Sequence, residues 1–119
     1  MEIFREGDVI CINLEGDISF SNEDKIRESI IKALRQTDKT AVINLSRVDF
    51  MDSSGIGIFV TILKRIKENG GILILEYPQP GIQKFLEMTR LDQVIEIRKT
   101  EEPKTGSWPE AGKTDKPVI

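Results

Sequence analysis

The segment Asp52-Ser53-Ser54-Gly55-Ile56-Gly57 gathers the side chains of this chain best placed to do chemistry. A hydroxyl beside a carboxylate at a helix start has two uses. It can cap the helix by accepting from a first-turn amide that has no partner. It can also accept a phosphoryl group, because the same amides and the helix dipole favour negative charge there. Spacing alone leaves Ser53 and Ser54 open to both. Other chemistries are poorly provided for. The chain has no histidine, the commonest general base and metal ligand. Its one cysteine, Cys11, can form no internal disulfide, has no imidazole to activate it, and reads as core filling on a strand. There is no Walker-type loop, no Gly-x-Gly-x-x-Gly and no metal-spaced cluster, so neither cofactor nor metal is expected and most catalytic chemistries are disfavoured.

The elements around this segment must present it. Ala41, Val42, Ile43 and Leu45 form a short apolar run rich in β-branched residues, the pattern of a central parallel strand covered on both faces. A second extended piece, Val48 to Met51, leads into the serines, and a helical period follows. At about 100° per residue, Ile56, Phe59, Val60, Leu63 and Ile66 share one arc, expected to be the core face. Ile58 falls opposite, beside Gly57, Thr61 and Arg65, and Ile62 falls at the margin. Apolar residues on a polar face close to a helix start suggest a docking surface, and Ile58 and Ile62 are its expected contacts.

Around that centre the chain alternates. Glu2 to Arg5 and Val9 to Leu14 read as a hairpin at a sheet edge, broken by Glu15, Gly16 and Asp17. Residues 22 to 36 have helical period with Ile26, Ile30, Ala33 and Leu34 on one face, opened by a capping box of Ser21 and Asp24. Asn69, Gly70 and Gly71 end the serine-led helix. Ile72 to Glu76 is a further strand, then a short helix buries Ile82, Phe85 and Leu86, and Val94 to Ile97 is the last strand. Strands alternating with helices call for parallel pairing through right-handed crossovers.

At 119 residues the chain fits one domain. A net charge of −3 with both signs interspersed gives no basic stripe, against nucleic acid as partner. No apolar run approaches the roughly 20 residues of a membrane span, and the opening MEIFREGD lacks the blocks of a signal peptide, so no membrane partner and a cytoplasmic location are expected. From Arg98 the composition turns polar, with three prolines, and residues 98–119 are expected to be a flexible tail in which Trp108 stands out.

Residues 3 to 97 resemble the stand-alone STAS domains that act as anti-sigma factor antagonists in bacterial partner switching, of the SpoIIAA and RsbV type. The resemblance rests on Asn44-Leu-Ser-Arg-Val-Asp-Phe-Met-Asp52-Ser53-Ser54-Gly55-Ile56-Gly57, with Gly16-Asp17, Gly70-Gly71 and the stretch from Lys84 to Ile97 in support. It implies an α/β STAS fold over residues 1–97, a mixed, mostly parallel sheet of four to five strands with covering helices. It further implies phosphorylation of Ser53 by a partner that is both serine kinase and anti-sigma factor, an ATP-binding protein of histidine-kinase-like fold. The unphosphorylated form would bind that partner and free the sigma factor, and a PP2C-type phosphatase would restore the serine. ATP and Mg²⁺ would belong to the kinase, and this chain would not be an enzyme.

In that scheme Asp52 presents Ser53 or tunes its reactivity, Gly55 and Gly57 allow close approach, and Ile58 and Ile62 are contacts. Ser54 is an N-cap or a minor second acceptor. Ser19 departs from the acidic residue common in the family. Two alternatives differ in class. One is a STAS scaffold or transport-complex subunit whose serines only cap. The other is a receiver-type phosphoacceptor at Asp49 or Asp52, a poor fit because the acids follow an internal strand and Lys99 comes only after the last one.

Overall fold

The computed structural model describes residues 1–99. Strands β1 (Glu2–Glu6) and β2 (Val9–Ile18) form the expected hairpin, turned at Gly7, whose φ of +64° suits glycine. Then follow α1 (Glu23–Ala33), β3 (Thr40–Met51), α2 (Ser54–Glu68), β4 (Ile72–Glu76), α3 (Pro80–Met88), a 3₁₀ turn (Leu91–Gln93) and β5 (Glu96–Arg98). The five strands pair in the order β1-β2-β3-β4-β5, the first pair antiparallel and the rest parallel. This is the mixed, mostly parallel sheet that the alternation predicts.

Each parallel crossover steps one strand in the same direction, so right-handed connections put all three helices on one side of the sheet. The core shows that result. Ile10, Ile12, Ala41, Ile43, Leu45, Leu73 and Leu75 from the strands join Ile30, Phe59, Ile62, Ile66, Ile82 and Leu86 from the helices in one buried cluster. At the end of the sheet where β3 begins, Asp38, fully buried, accepts from Arg5 Nε at 2.7 Å and from Arg5 and the Arg35 amide besides. The Arg5 hydrogen bonds hold the Asp38 carboxyl below its ordinary value, with the Arg35 amide adding to the effect and burial opposing it.

Three local expectations differ from what folds. The two extended pieces flanking Ser46 are one strand, β3, with a register shift against β2 near Gly16 and Asp17. The Ser21–Asp24 capping box does not form. Asn22 takes the cap position of α1, and its side chain turns back to the preceding loop, accepting from the Ser19 amide and donating to the Asp17 carbonyl. Finally, Arg98 is the last residue of β5 and not the first of a tail. Residues 100–119, including Trp108, lie outside the described residues.

The larger correction concerns α2. Its buried residues are Gly55, Ile58, Phe59, Ile62 and Ile66, with Ile58 and Ile62 both fully buried. Ile58 and Ile62 are therefore core and not contact residues. Ile56, Val60 and Leu63, placed inward by periodicity, are only partly buried. The burial is rotated by about 90° because α2 has a second neighbour. On the Gly57 side α1 packs against it, with Glu23 nearest Gly57, and this brings Ile58 and Ile62 between α1 and the sheet.

Candidate functional site

The site sits where β3 passes into α2, at the end of the sheet to which the parallel strands run. Met51, the last residue of β3, is buried, and Asp52 turns the chain outward while its amide donates to the Ile18 carbonyl at 3.1 Å. Ser53 occupies the cap position of α2 with φ −64° and ψ −15°. Its side chain is exposed and makes no capping bond.

Asp52 performs that task instead. Its Oδ1 accepts from the Ser54 amide at 2.8 Å, and its Oδ2 accepts from the Phe20 amide at 3.4 Å in the loop after β2. One carboxylate thus satisfies the helix start and ties it to the neighbouring loop. The Gly55 and Ile56 amides turn back to the Asp52 and Ser53 carbonyls at 3.0 and 3.1 Å. With the first-turn donors taken, the Ser53 hydroxyl is left to face solvent.

The other expected residues divide. Ser54 is the first helical residue and not the cap, and it is partly buried. Gly55 is buried, and a Cβ there would come within 2.6 Å of Met51 Cγ and Sδ, so its lack of a side chain serves core packing and not the approach of a partner. Gly57 is partly exposed beside Glu23, itself ion-paired with Arg27.

Two exposed aromatics lie on the segments joined to Asp52, one through a backbone hydrogen bond and one along β3. Phe20 is 81% exposed and Phe50 52% exposed. Phe20 is held to Asp52 through its backbone, and Phe50 lies two positions before Asp52 on the bulged end of β3. In the sequence Phe50 falls within the extended piece Val48 to Met51 and Phe20 in the loop after the second strand, and neither is marked there as a contact. A cavity of about 430 Å³ lies near the other end of the sheet, lined by Leu34, Arg35, Lys39, Arg65, Glu68 and Asn69. Its cations cluster where α1 and α2 end, and there they offset the negative ends of the helix dipoles. Among the described residues no group of three or more acidic or thiol side chains is arranged to hold a metal ion, and no helix is long and apolar enough to cross a membrane.

Comparison with known proteins agrees with this geometry. The anti-sigma-B factor antagonist of Bacillus subtilis is 31% identical over 88 residues, spanning 74% of this chain and 80% of that protein. The structure of the anti-sigma factor antagonist SpoIIAA in its unphosphorylated form superposes with TM-score 0.60 at 26% identity, covering 78% of this chain and 96% of that one. The phosphorylated form of SpoIIAA, the Bacillus cell fate determinant, gives 0.64 at 25% identity, covering 83% and 91%. The crystal structure of tm1081 from Thermotoga maritima shares the fold over 94% of both chains, with TM-score 0.75 at 21% identity. The model of the STAS domain matches residues 1–103, so that sequence motif, sheet order and the strand-to-helix junction all lead to one conclusion: this chain belongs to the STAS domain family.

Proposed function

We propose that this chain is a cytoplasmic anti-sigma factor antagonist whose binding state is set by phosphorylation of Ser53. The observation that carries the reading is the exposed Ser53 hydroxyl at a helix start that Asp52, and not Ser53, has already satisfied. A hydroxyl free of structural duty can be modified without unfolding its helix. The relatives support the role, since proteins named as antagonists of anti-sigma factors match most of the chain, and SpoIIAA exists in both phosphorylation states.

The partner would be an anti-sigma factor that is also a serine kinase, ATP-binding and of histidine-kinase-like fold, and a PP2C-type phosphatase would reset Ser53. Phe20 and Phe50 replace Ile58 and Ile62 as the apolar contacts, with Asp52, Ser54 and Gly57 at their border. Phosphate adds about −1.5 to −2 charge. On Ser53 it meets the Asp52 carboxylate on one side and first-turn amides already engaged, so it projects outward into the docking face. Repulsion and desolvation there weaken partner binding while the fold persists.

The test is intact-mass analysis of wild type, Ser53→Ala and Ser54→Ala after incubation with ATP, Mg²⁺ and the histidine-kinase-like ATPase encoded nearest to this chain. One added phosphate, absent from Ser53→Ala and retained by Ser54→Ala, is expected. No phosphate with an active, cognate kinase would overturn the switch and leave a scaffold role.

A further inference from the structure

The cavity of about 430 Å³ at the far end of α2 from Ser53 is lined by more positive charge than the fold around it requires. Arg35 and Lys39 come from the loop between α1 and β3, and Arg65 and Glu68 from the end of α2. Two helix C-termini meet there, each equivalent to about −0.5 charge. Those ends and Glu68 together carry about −2, against about +3 from the cations, so the cavity keeps a net positive charge of about one.

The cationic heads are also uncommitted. Among the described residues, neither the Arg35 nor the Arg65 guanidinium makes an ion pair or a hydrogen bond. Lys39 Nζ donates to the Asn69 carbonyl, which uses one of the three donors of an ammonium. The walls are fixed without the two arginine heads. Asn69 Nδ2 donates to the Arg35 and Asp38 carbonyls at 2.9 and 3.0 Å, and the Arg35 amide donates to Asp38 Oδ2 at 2.7 Å. A Cβ at Gly71 would run into the Lys39 carbonyl, and the Ile72 amide donates to that carbonyl at 2.9 Å. The turn after α2 is thus locked against the loop that carries Arg35 and Lys39.

We propose that this cavity binds a small phosphorylated molecule carrying at least two negative charges. Arg35 and Arg65 each present a planar fork of donors that matches phosphate oxygens bidentately, and Lys39 adds a point charge. The volume falls within the roughly 300–1,000 Å³ of small-molecule sites. The site stands apart from the Ser53 junction, because the 15 residues of α2 put about 22 Å between them. Ligand and docking partner can therefore be held at once.

The test is a titration of the ¹⁵N-labelled full chain with inorganic pyrophosphate at about 0.15 M ionic strength, followed through the amide shifts. Saturable shifts confined to residues 34–39 and 65–69 are expected, the same in Ser53→Ala as in wild type. Arg35→Ala and Arg65→Ala should each weaken binding by about tenfold. Glu68→Gln should tighten it, since a negative charge leaves the cavity while its shape stays. Lys84→Ala, which removes an exposed lysine of α3 outside the cavity, should leave the affinity unaltered. All four positions are exposed, so each variant should keep the wild-type circular dichroism. No saturable shift at millimolar pyrophosphate would overturn the proposal. So would shifts spread over the remaining lysines, or equal weakening by Lys84→Ala, because diffuse surface charge and not the cavity would then attract the anion.

Discussion

At the scale of the residue, the division of labour between Asp52 and Ser53 decides what the junction can do. The side chain at the cap position makes no capping bond, and its neighbour holds two amides, one of them from another loop. Ser53→Ala should therefore change stability by no more than about 0.5 kcal/mol, as a surface substitution does. Asp52→Ala should cost about 1–2 kcal/mol, because the Ser54 and Phe20 amides both lose their acceptor. Urea unfolding of the two variants separates these outcomes, and the reverse ranking would make Ser53 the true cap. Asp38 supplies a pH signature of its own. Its folded-state value lies below the ordinary 3.8, so the stability it contributes is present above that value and is lost as pH falls through the lower, folded one. Asp38→Asn should be about 1.5–3 kcal/mol less stable than wild type at neutral pH. That gap should narrow as the pH falls below about 4 in denaturant titrations.

At the scale of the element, α2 shows why its surface cannot be read from period alone. Apolar residues from Ile58 round to Val60 cover an arc of about 200°, more than one contact can bury. The sheet takes Phe59 and Ile66, α1 encloses the side that includes Ile58 and Ile62, and Ile56, Val60 and Leu63 keep partial exposure. Ile58→Ala should accordingly cost about 2–5 kcal/mol in thermal or chemical unfolding, and Val60→Ala clearly less. Ile58→Asp should fail to fold, and a well-folded Ile58→Asp protein would return that residue to the surface. The same helix explains Gly55: a Cβ there would run into the buried Met51 side chain, which would have to shift to admit it.

At the scale of the whole molecule, the junction of β3 with α2 brings Ser53 to the surface at the end of the sheet to which the parallel strands run. Phe20→Asp with Phe50→Asp should preserve the melting temperature within a few degrees. The pair should nonetheless weaken binding of the anti-sigma factor by at least about tenfold in calorimetry, and unchanged affinity would remove these aromatics from the docking face. Much of this architecture was legible in the sequence. Short β-branched runs alternating with amphipathic stretches, punctuated by Gly16-Asp17 and Gly70-Gly71, call for parallel pairing through right-handed crossovers, and the Asp52-Ser53-Ser54-Gly55 junction marks a helix start. Those features are local, set by backbone preference and side-chain period within one segment. The tertiary structure alone decided the rest. Which arc of α2 is buried depends on α1, which serine is left without a capping duty depends on where the Asp52 carboxylate points, and the loop that carries Phe20 is tied to Asp52 across the fold. The α1 and Phe20 contacts join segments distant along the chain, and the Asp52 bond to the Ser54 amide is a choice of side-chain direction; periodicity within one segment carries information about neither.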